Sequence, residues 1–259
     1  MTPELKTAIK ITKHVSYFLH ANFQRFHHQK ISLKKHAEIV TDFDIEANKY
    51  ITEQILHKFP NHDIISEEAE KIDNPDTKTW YVDPLDGTTN FAFGFTEYGT
   101  CLGMADRGDI KLGVMSLPES KELYFAEKNN GAWCGKNKLA VSNKETLNQS
   151  LFLLCPGHSP EGKVRFKKYF AKLDLLNIHF RLLAAACVEL TAVASGRADV
   201  CILSDVHTWD VVAGVILIRE AGGRVTNFQG KDWQITDQTL IASNGTIHKE
   251  VLKLTKETV

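Results

Sequence analysis

The densest chemical cluster in the chain is Asp83-Pro84-Leu85-Asp86-Gly87-Thr88-Thr89-Asn90-Phe91, in which two carboxylates flank a Pro-Leu pair directly after an apolar segment. Gly87 and the two threonines offer backbone N–H groups where a helix or turn begins. Carboxylates suit a hard cation, and amides at a helix start suit an anion. The same residue types also serve as turn and capping residues, so this segment by itself leaves both readings open. Three further acidic sites add to it: Ser66-Glu67-Glu68 after an apolar run, Thr41-Asp42-Phe43-Asp44 ahead of a helical pattern, and Trp209-Asp210 at the head of the apolar stretch 211–218. Each alone reads as readily as a helix cap or a solvated surface group. Together they put carboxylates at the ends of several elements with no His or Cys partner. An all-oxygen donor set selects magnesium or manganese over zinc. His27, His28, His57, His62, His158, His179 and His248 form no i,i+4 ligand pair beside an acid and read as surface residues; only His207 lies near a candidate site residue.

The elements that must position these groups show in the apolar spacing. Leu5, Ile9, Thr12, Val15, Leu19 and Phe23 recur at steps of three and four, which predicts an amphipathic helix. Ala47, Ile51, Ile55 and Phe59 predict a second, stopped by Pro60-Asn61. Residues 63–66 and 80–83 read as short buried strands. From Tyr98 to Val141, short β-rich runs separated by Arg107-Gly108-Asp109, Pro118-Glu119-Ser120 and Asn129-Asn130-Gly131 predict an antiparallel meander. Beyond residue 145 the patterns alternate, with strands at 150–155, 198–203, 224–227 and 239–243 and helices at 161–175, 184–196 and 211–223. This predicts an α+β half over residues 1–145, carrying most of the acids, and an α/β half over 146–259 with the Trp209-Asp210 pair.

A length of 259 residues corresponds to between one and two domains and suffices for a core without disulfides or a structural metal. Hydrophobic residues at 43% and charged residues at 24% are those of a globular chain. With 31 basic against 32 acidic residues the net charge is -1, which argues against a nucleic-acid surface or a polybasic membrane anchor as the whole-chain role. No apolar run reaches the length of a membrane span, and the N-terminus lacks a signal-peptide pattern. Five widely spaced cysteines without a CxxC form neither a disulfide framework nor a zinc site. The expectation is a reduced, cytoplasmic protein.

The whole pattern resembles the inositol monophosphatase family of metal-dependent, lithium-sensitive phosphatases. The family's first signature is similar to Tyr81-Val82-Asp83-Pro84-Leu85-Asp86-Gly87-Thr88-Thr89-Asn90-Phe91, and its second to Trp209-Asp210-Val211-Val212-Ala213-Gly214 followed by Glu220-Ala221-Gly222-Gly223. Glu67-Glu68 and Val40-Thr41-Asp42-Phe43-Asp44 match the supporting elements in order and spacing. The resemblance implies a layered αβαβα sandwich of the sugar-phosphatase type, a homodimer, and hydrolysis of a small polar phosphate monoester with two or three Mg²⁺ ions, for which Mn²⁺ can substitute. It implies that Glu67, Asp83 and the Leu85 carbonyl hold the first ion. Asp83, Asp86 and Asp210 would hold the second, with Asp83 bridging, and a third, weaker ion would lean on Glu67. Thr88, hydrogen-bonded to Asp44, would orient the attacking water, and the amides of Gly87 and Thr88 would bind phosphate. Such chemistry needs no histidine base.

Two places depart from the inositol-selective pattern. The family's glutamate ahead of the Trp-Asp pair, which reads a ring hydroxyl, is Leu203 here, and its R-x-x-G-[ST] element is Arg181-Leu182-Leu183-Ala184-Ala185. The resemblance thus places Ala184, Ala185, Leu203 and Asp210 on the substrate side, while opening substrate choice to histidinol phosphate, fructose 1,6-bisphosphate or a nucleotide phosphate beside inositol phosphate. A function of another class, as a non-catalytic partner in a larger assembly, stays open. Neither reading calls for a membrane or for direct nucleic-acid contact.

Overall fold

Helix α1 (Pro3–Phe23) buries Leu5, Ala8, Ile11, Thr12, Val15 and Leu19 along one stripe, as the apolar spacing requires. Helix α2 (Asp42–Lys58) does the same with Ala47, Ile51 and Ile55. Thr41 and Asp44 close its start reciprocally as a capping box, and it ends at Phe59, ahead of a proline. The computed structural model describes residues 1–23, 32–33, 39–68, 77–173 and 175–256. His27 and His28 lie outside the described residues. Between the two helices, β1 (Ser32–Leu33) pairs antiparallel with β2 (Ile39–Val40).

Seven strands form the larger sheet: β3 (Asp63–Ser66), β4 (Lys78–Asp86), β5 (Gly99–Asp106), β6 (Asp109–Leu117), β7 (Glu122–Glu127), β8 (Ala132–Cys134) and β9 (Asn137–Lys138). They lie side by side in chain order; β3 runs parallel to β4 and the others pair antiparallel, which is the expected meander. A short helix, α3 (Thr88–Phe93), bridges β4 and β5. The second sheet is built from β10 (Leu151–Cys155), β11 (His179–Arg181), β12 (Val200–Ser204), β13 (Arg224–Thr226) and β14 (Thr239–Ser243) in the order β11-β10-β12-β14-β13. Its first three strands are parallel, so their carboxyl ends open on one edge. Four helices belong to this part: α4 (Pro160–Leu173), α5 (Ala186–Ala194), α6 (Thr208–Glu220) and α7 (His248–Lys256).

These elements stack in five layers. One face of the larger sheet packs Ile64, Trp80, Val82, Leu102 and Leu112 against α1 and α2. Its other face meets α5 and α6, whose far sides meet Leu153, Cys201 and Leu240 of the second sheet. Phe152, Val200 and Ile241, on the outer face of that sheet, pack with Tyr169 and Leu173 of α4 and Val251 of α7. Helix α6 is buried on all sides from Val211 to Ile218, as a helix between two sheets must be. Its close seat depends on Gly103 and Gly113, where a Cβ would meet Val212 at 2.6 Å and the Ala213 carbonyl at 2.5 Å. Among the described residues, no helix is long and apolar enough to cross a membrane.

Three details differ from the sequence expectation. Helix α5 starts at Ala186 rather than 184, because Ala184 has a left-handed backbone (φ 54) that no α-helix continues. Strand β4 runs on to Asp86 instead of stopping at 83. His248 is buried rather than at the surface, its ring held between the hydroxyls of Thr226 (2.9 Å) and Ser243 (2.8 Å).

Candidate active site

In a regular strand, residues three apart face opposite sides of the sheet. Asp83 and Asp86 escape this because β4 carries an irregularity between them: Asp83 pairs with Cys101 and Asp86 with Gly99, so three steps on β4 match two on β5. The extra residue is a β-bulge at Pro84-Leu85, and it turns both carboxylates to one face. Proline, which cannot donate to the ladder, is suited to such a break. The N–H of Leu85 donates to Asp83 Oδ1 at 3.0 Å, and the N–H groups of Ala186 and Cys187, at the start of α5, donate to Asp86. Glu67 follows β3 beside Asp83, its N–H bonded to the Val82 carbonyl at 3.1 Å. Asp210 arrives from the first turn of α6, where its Oδ2 accepts the N–H of His207 at 3.1 Å and the His207 ring stacks on Trp209.

The structure therefore brings together Glu67, Asp83, Asp86 and Asp210 from three separate stretches of chain. Asp83 is 2% exposed; burial pushes it well above the usual carboxylate range, and Glu67, Asp86 and Asp210 push it further. Burial raises Asp86 too, with Glu67 adding to the effect and the donors from Ala186 and Cys187 opposing it. Among the described residues, no three His, Cys, Asp or Glu side chains stand as a ready-made cation cage. The fit to a metal rests instead on the chemistry of the donors. Buried carboxylates that repel one another and offer only oxygen are matched by a hard divalent cation.

Beside the acids lie the groups expected to handle water and phosphate. Thr88 Oγ1 donates to Asp44 Oδ1 (2.9 Å) and to the Leu85 carbonyl (2.8 Å). The other Asp44 oxygen accepts the N–H and the hydroxyl of Thr41. Burial lifts Asp44 to about 6, against the pull of its Thr41 and Thr88 donors. Gly87 caps α3 with a left-handed backbone (φ 80), and a Cβ there would meet the Glu97 carbonyl at 2.7 Å and the Ala185 Cβ at 3.1 Å. Only glycine satisfies both conditions.

Of the expected substrate-side residues, Ala185 packs against Gly87 and Ala184 is exposed on the turn before it. Leu203 is corrected: it is 2% exposed, points into the core between the sheets with Cys201 and Leu153, and has no surface to offer a substrate. Two participants were not foreseen. Asn90 donates from one side chain to the carbonyls of Glu97 and Leu183, both at 2.7 Å, tying α3 to the turn before α5. Glu189 lies buried on α5, and burial raises it to about 8. The signal for Glu189 was in the sequence, as a lone acid inside the apolar run Ala186–Ala194.

A sequence model of the inositol monophosphatase family matches residues 1–259. The chain belongs to this family. It is thereby a phosphoric monoester hydrolase of a metal-dependent class. Its similarity to individual inositol monophosphatase relatives extends over the whole molecule. It is 32% identical over 259 residues to the Thermotoga maritima protein named fructose-1,6-bisphosphatase/inositol-1-monophosphatase, covering 98% of this chain and 96% of the relative. It is 31% identical over 256 residues to the Nus factor SuhB of Pasteurella multocida, covering 97% and 95%. The solved structure of the Thermotoga maritima IMPase superposes with a TM-score of 0.88 at 30% identity, covering 99% of this chain and 98% of that one. The layered sandwich expected from the resemblance is the fold the chain adopts.

Proposed function

We propose that the chain hydrolyses a small polar phosphate monoester of the inositol phosphate kind, with Glu67, Asp83, Asp86, Asp210 and the Leu85 carbonyl holding two or three Mg²⁺ ions and Mn²⁺ able to replace them. The observation that carries this reading is the set of repelling carboxylates, with Asp83 and Asp86 buried and Glu67 and Asp210 half-buried, beside the Gly87 turn and the Thr88–Asp44 hydrogen bond. When bound, such ions relieve negative charge on the entering and leaving oxygens of the phosphoryl group.

The chain's own residues supply position and proton handling. The N–H groups of Gly87 and Thr88, at the start of α3, take the phosphate oxygens. Thr88 Oγ1 spends its single proton on Asp44 and the Leu85 carbonyl, which leaves its lone pairs to accept from water and to aim that water at phosphorus. As the water attacks, the bond between phosphorus and the ester oxygen breaks and the alcohol leaves with a proton from solvent, while the attacking water's proton passes to Thr88 Oγ1 and the threonine proton to Asp44 Oδ1. A carboxylate lifted to about 6 is suited to receive it near neutral pH. Ala184, exposed on the turn before α5, offers the leaving-group side a methyl group and no hydroxyl, Ala185 is buried against Gly87 and seats that turn, and Asp210 offers a carboxylate beside it.

Phosphate release from myo-inositol 1-phosphate, fructose 1,6-bisphosphate, histidinol phosphate and an adenosine monophosphate, with and without Mg²⁺, tests the proposal. The expected result is Mg²⁺-dependent turnover with a sugar or polyol phosphate preferred, and the Thermotoga relative's double name supports including both of the first two. The likeness to a Nus factor supports a second reading, a partner in a larger assembly. Folded protein that releases phosphate from none of the four esters favours that reading and refutes the first.

A further inference from the structure

The turn 183–187 touches the site at three points. Ala185 packs on Gly87, the N–H groups of Ala186 and Cys187 donate to Asp86, and the Leu183 carbonyl accepts Asn90. This turn is strained, because Ala184 occupies the left-handed region (φ 54), where its Cβ is unfavourable. What holds it is the Glu189 side chain. From one turn into α5 it reaches back to accept the Leu183 N–H at 3.2 Å and the N–H of Ala184, while its own N–H bonds the Ala185 carbonyl at 3.1 Å. At 1% exposure, Glu189 has no access to substrate, and its links to the site are this turn and the like-charge repulsion it shares with Asp86.

We infer that Glu189 is a positioning residue for the phosphate cradle: by holding Ala184 left-handed, it seats the start of α5 on Asp86 and Ala185 against Gly87. The inference rests on the proposed reading of Gly87 and Asp86 as part of the phosphatase site. Without the Glu189 carboxyl, the two N–H groups lose their acceptor and the strained turn relaxes, so Gly87 loses the packing of Ala185 and the cradle loosens while the Thr88–Asp44 hydrogen bond is kept. The consequence is weaker substrate binding more than slower chemistry. The strain also supplies the control, since a glycine at 184 adopts the left-handed backbone without penalty and needs no clamp.

The test is steady-state kinetics of Glu189→Ala, Glu189→Gln, Ala184→Gly and the Ala184→Gly/Glu189→Ala pair on the best ester of the substrate panel, with inorganic phosphate-induced shifts of the unfolding temperature as a second readout. Glu189→Ala is expected to raise KM about tenfold, the scale of the strain of one left-handed non-glycine residue, with kcat held within about threefold. It should also lose most of the phosphate-induced shift. Glu189→Gln, which keeps one acceptor oxygen, should fall between Glu189→Ala and the parent. Ala184→Gly in the double variant should return KM to within about threefold of the parent. An unchanged KM in Glu189→Ala, or a double variant as weak as Glu189→Ala alone, overturns the inference. If Glu189→Ala does not fold, Glu189→Gln decides: parent-like KM and phosphate shift overturn it, and a raised KM restored by Ala184→Gly supports it. Failure of the underlying phosphatase reading would look different, as absence of turnover in the parent protein itself.

Discussion

Gly87→Ala separates the two demands made on the turn after β4. The left-handed backbone at Gly87 (φ 80) costs an alanine about 1 kcal/mol. The added Cβ would also sit 2.7 Å from the Glu97 carbonyl and 3.1 Å from the Ala185 Cβ, so backbone must move; overpacking of this kind costs about 2 kcal/mol more. Gly94, at the other end of α3, has the same backbone (φ 81) and nothing within 4 Å of its missing Cβ. Gly94→Ala therefore loses only the conformational part. At about 3 °C per kcal/mol for a chain of this size, thermal unfolding should fall by roughly 3 °C for Gly94→Ala and roughly 9 °C for Gly87→Ala. Because the displaced N–H groups are those proposed to hold phosphate, kcat/KM should drop about a hundredfold in Gly87→Ala alone. Equal losses of stability in the two variants, together with parent-like activity in Gly87→Ala, would mean that neither the Glu97 carbonyl nor Ala185 constrains position 87.

Three further outcomes follow from the same geometry. If Asp44 receives the proton, protonating it in advance blocks the step, so activity should fall as pH drops through about 6. In Asp44→Asn the activity should be low, with that acid limb absent from what remains; an acid limb kept at the same pH assigns it to another group. His248, held by burial at about 4 against an ordinary 6.5, stays neutral in the fold while the unfolded chain takes a proton, so stability is present above about 6.5 and lost as pH falls toward 4. The loss is roughly 3 kcal/mol, and denaturant titrations of His248→Gln between pH 7 and pH 4 should lack it. Asp83→Asn removes a buried charge that its neighbours repel, so it should abolish turnover while raising the unfolding temperature measured in EDTA; a lowered temperature there would mean that Asp83 is held by favourable contacts rather than repelled.

Much of this site was legible in the sequence because its chemistry lies in short contiguous runs. Asp83 to Phe91 announces acids and a glycine turn together, and Thr41 to Asp44 announces a capped helix whose cap also meets Thr88. The meander and the alternating second half were legible in short, evenly punctuated apolar runs, whereas the five layers were expected from the family resemblance alone. What escaped depended on geometry that residue types do not encode. The bulge that turns Asp83 and Asp86 to one face appears only in the pairing with Cys101 and Gly99. Ala184 read as helix because alanine has the highest helix propensity, yet the chain needs a left-handed residue there. Leu203 was placed at the substrate through its distance from Trp209, and strand alternation turned it inward. His248 reads as a surface residue and Glu189 as one acid in an apolar run, since a buried polar group is recognised by its partners rather than by its neighbours in sequence.

On the proposed function, Glu67, Asp83, Asp86 and Asp210 share divalent cations. Anomalous diffraction from crystals grown with Mn²⁺ tests it most directly. At least two anomalous peaks are expected within ligating distance of these four carboxylates, one of them contacted by Asp83 and Glu67 and another by Asp83, Asp86 and Asp210, with both lost in Asp83→Asn. Mn²⁺ found only at other positions, in crystals whose Asp83 and Asp86 carboxylates are well ordered, would contradict it.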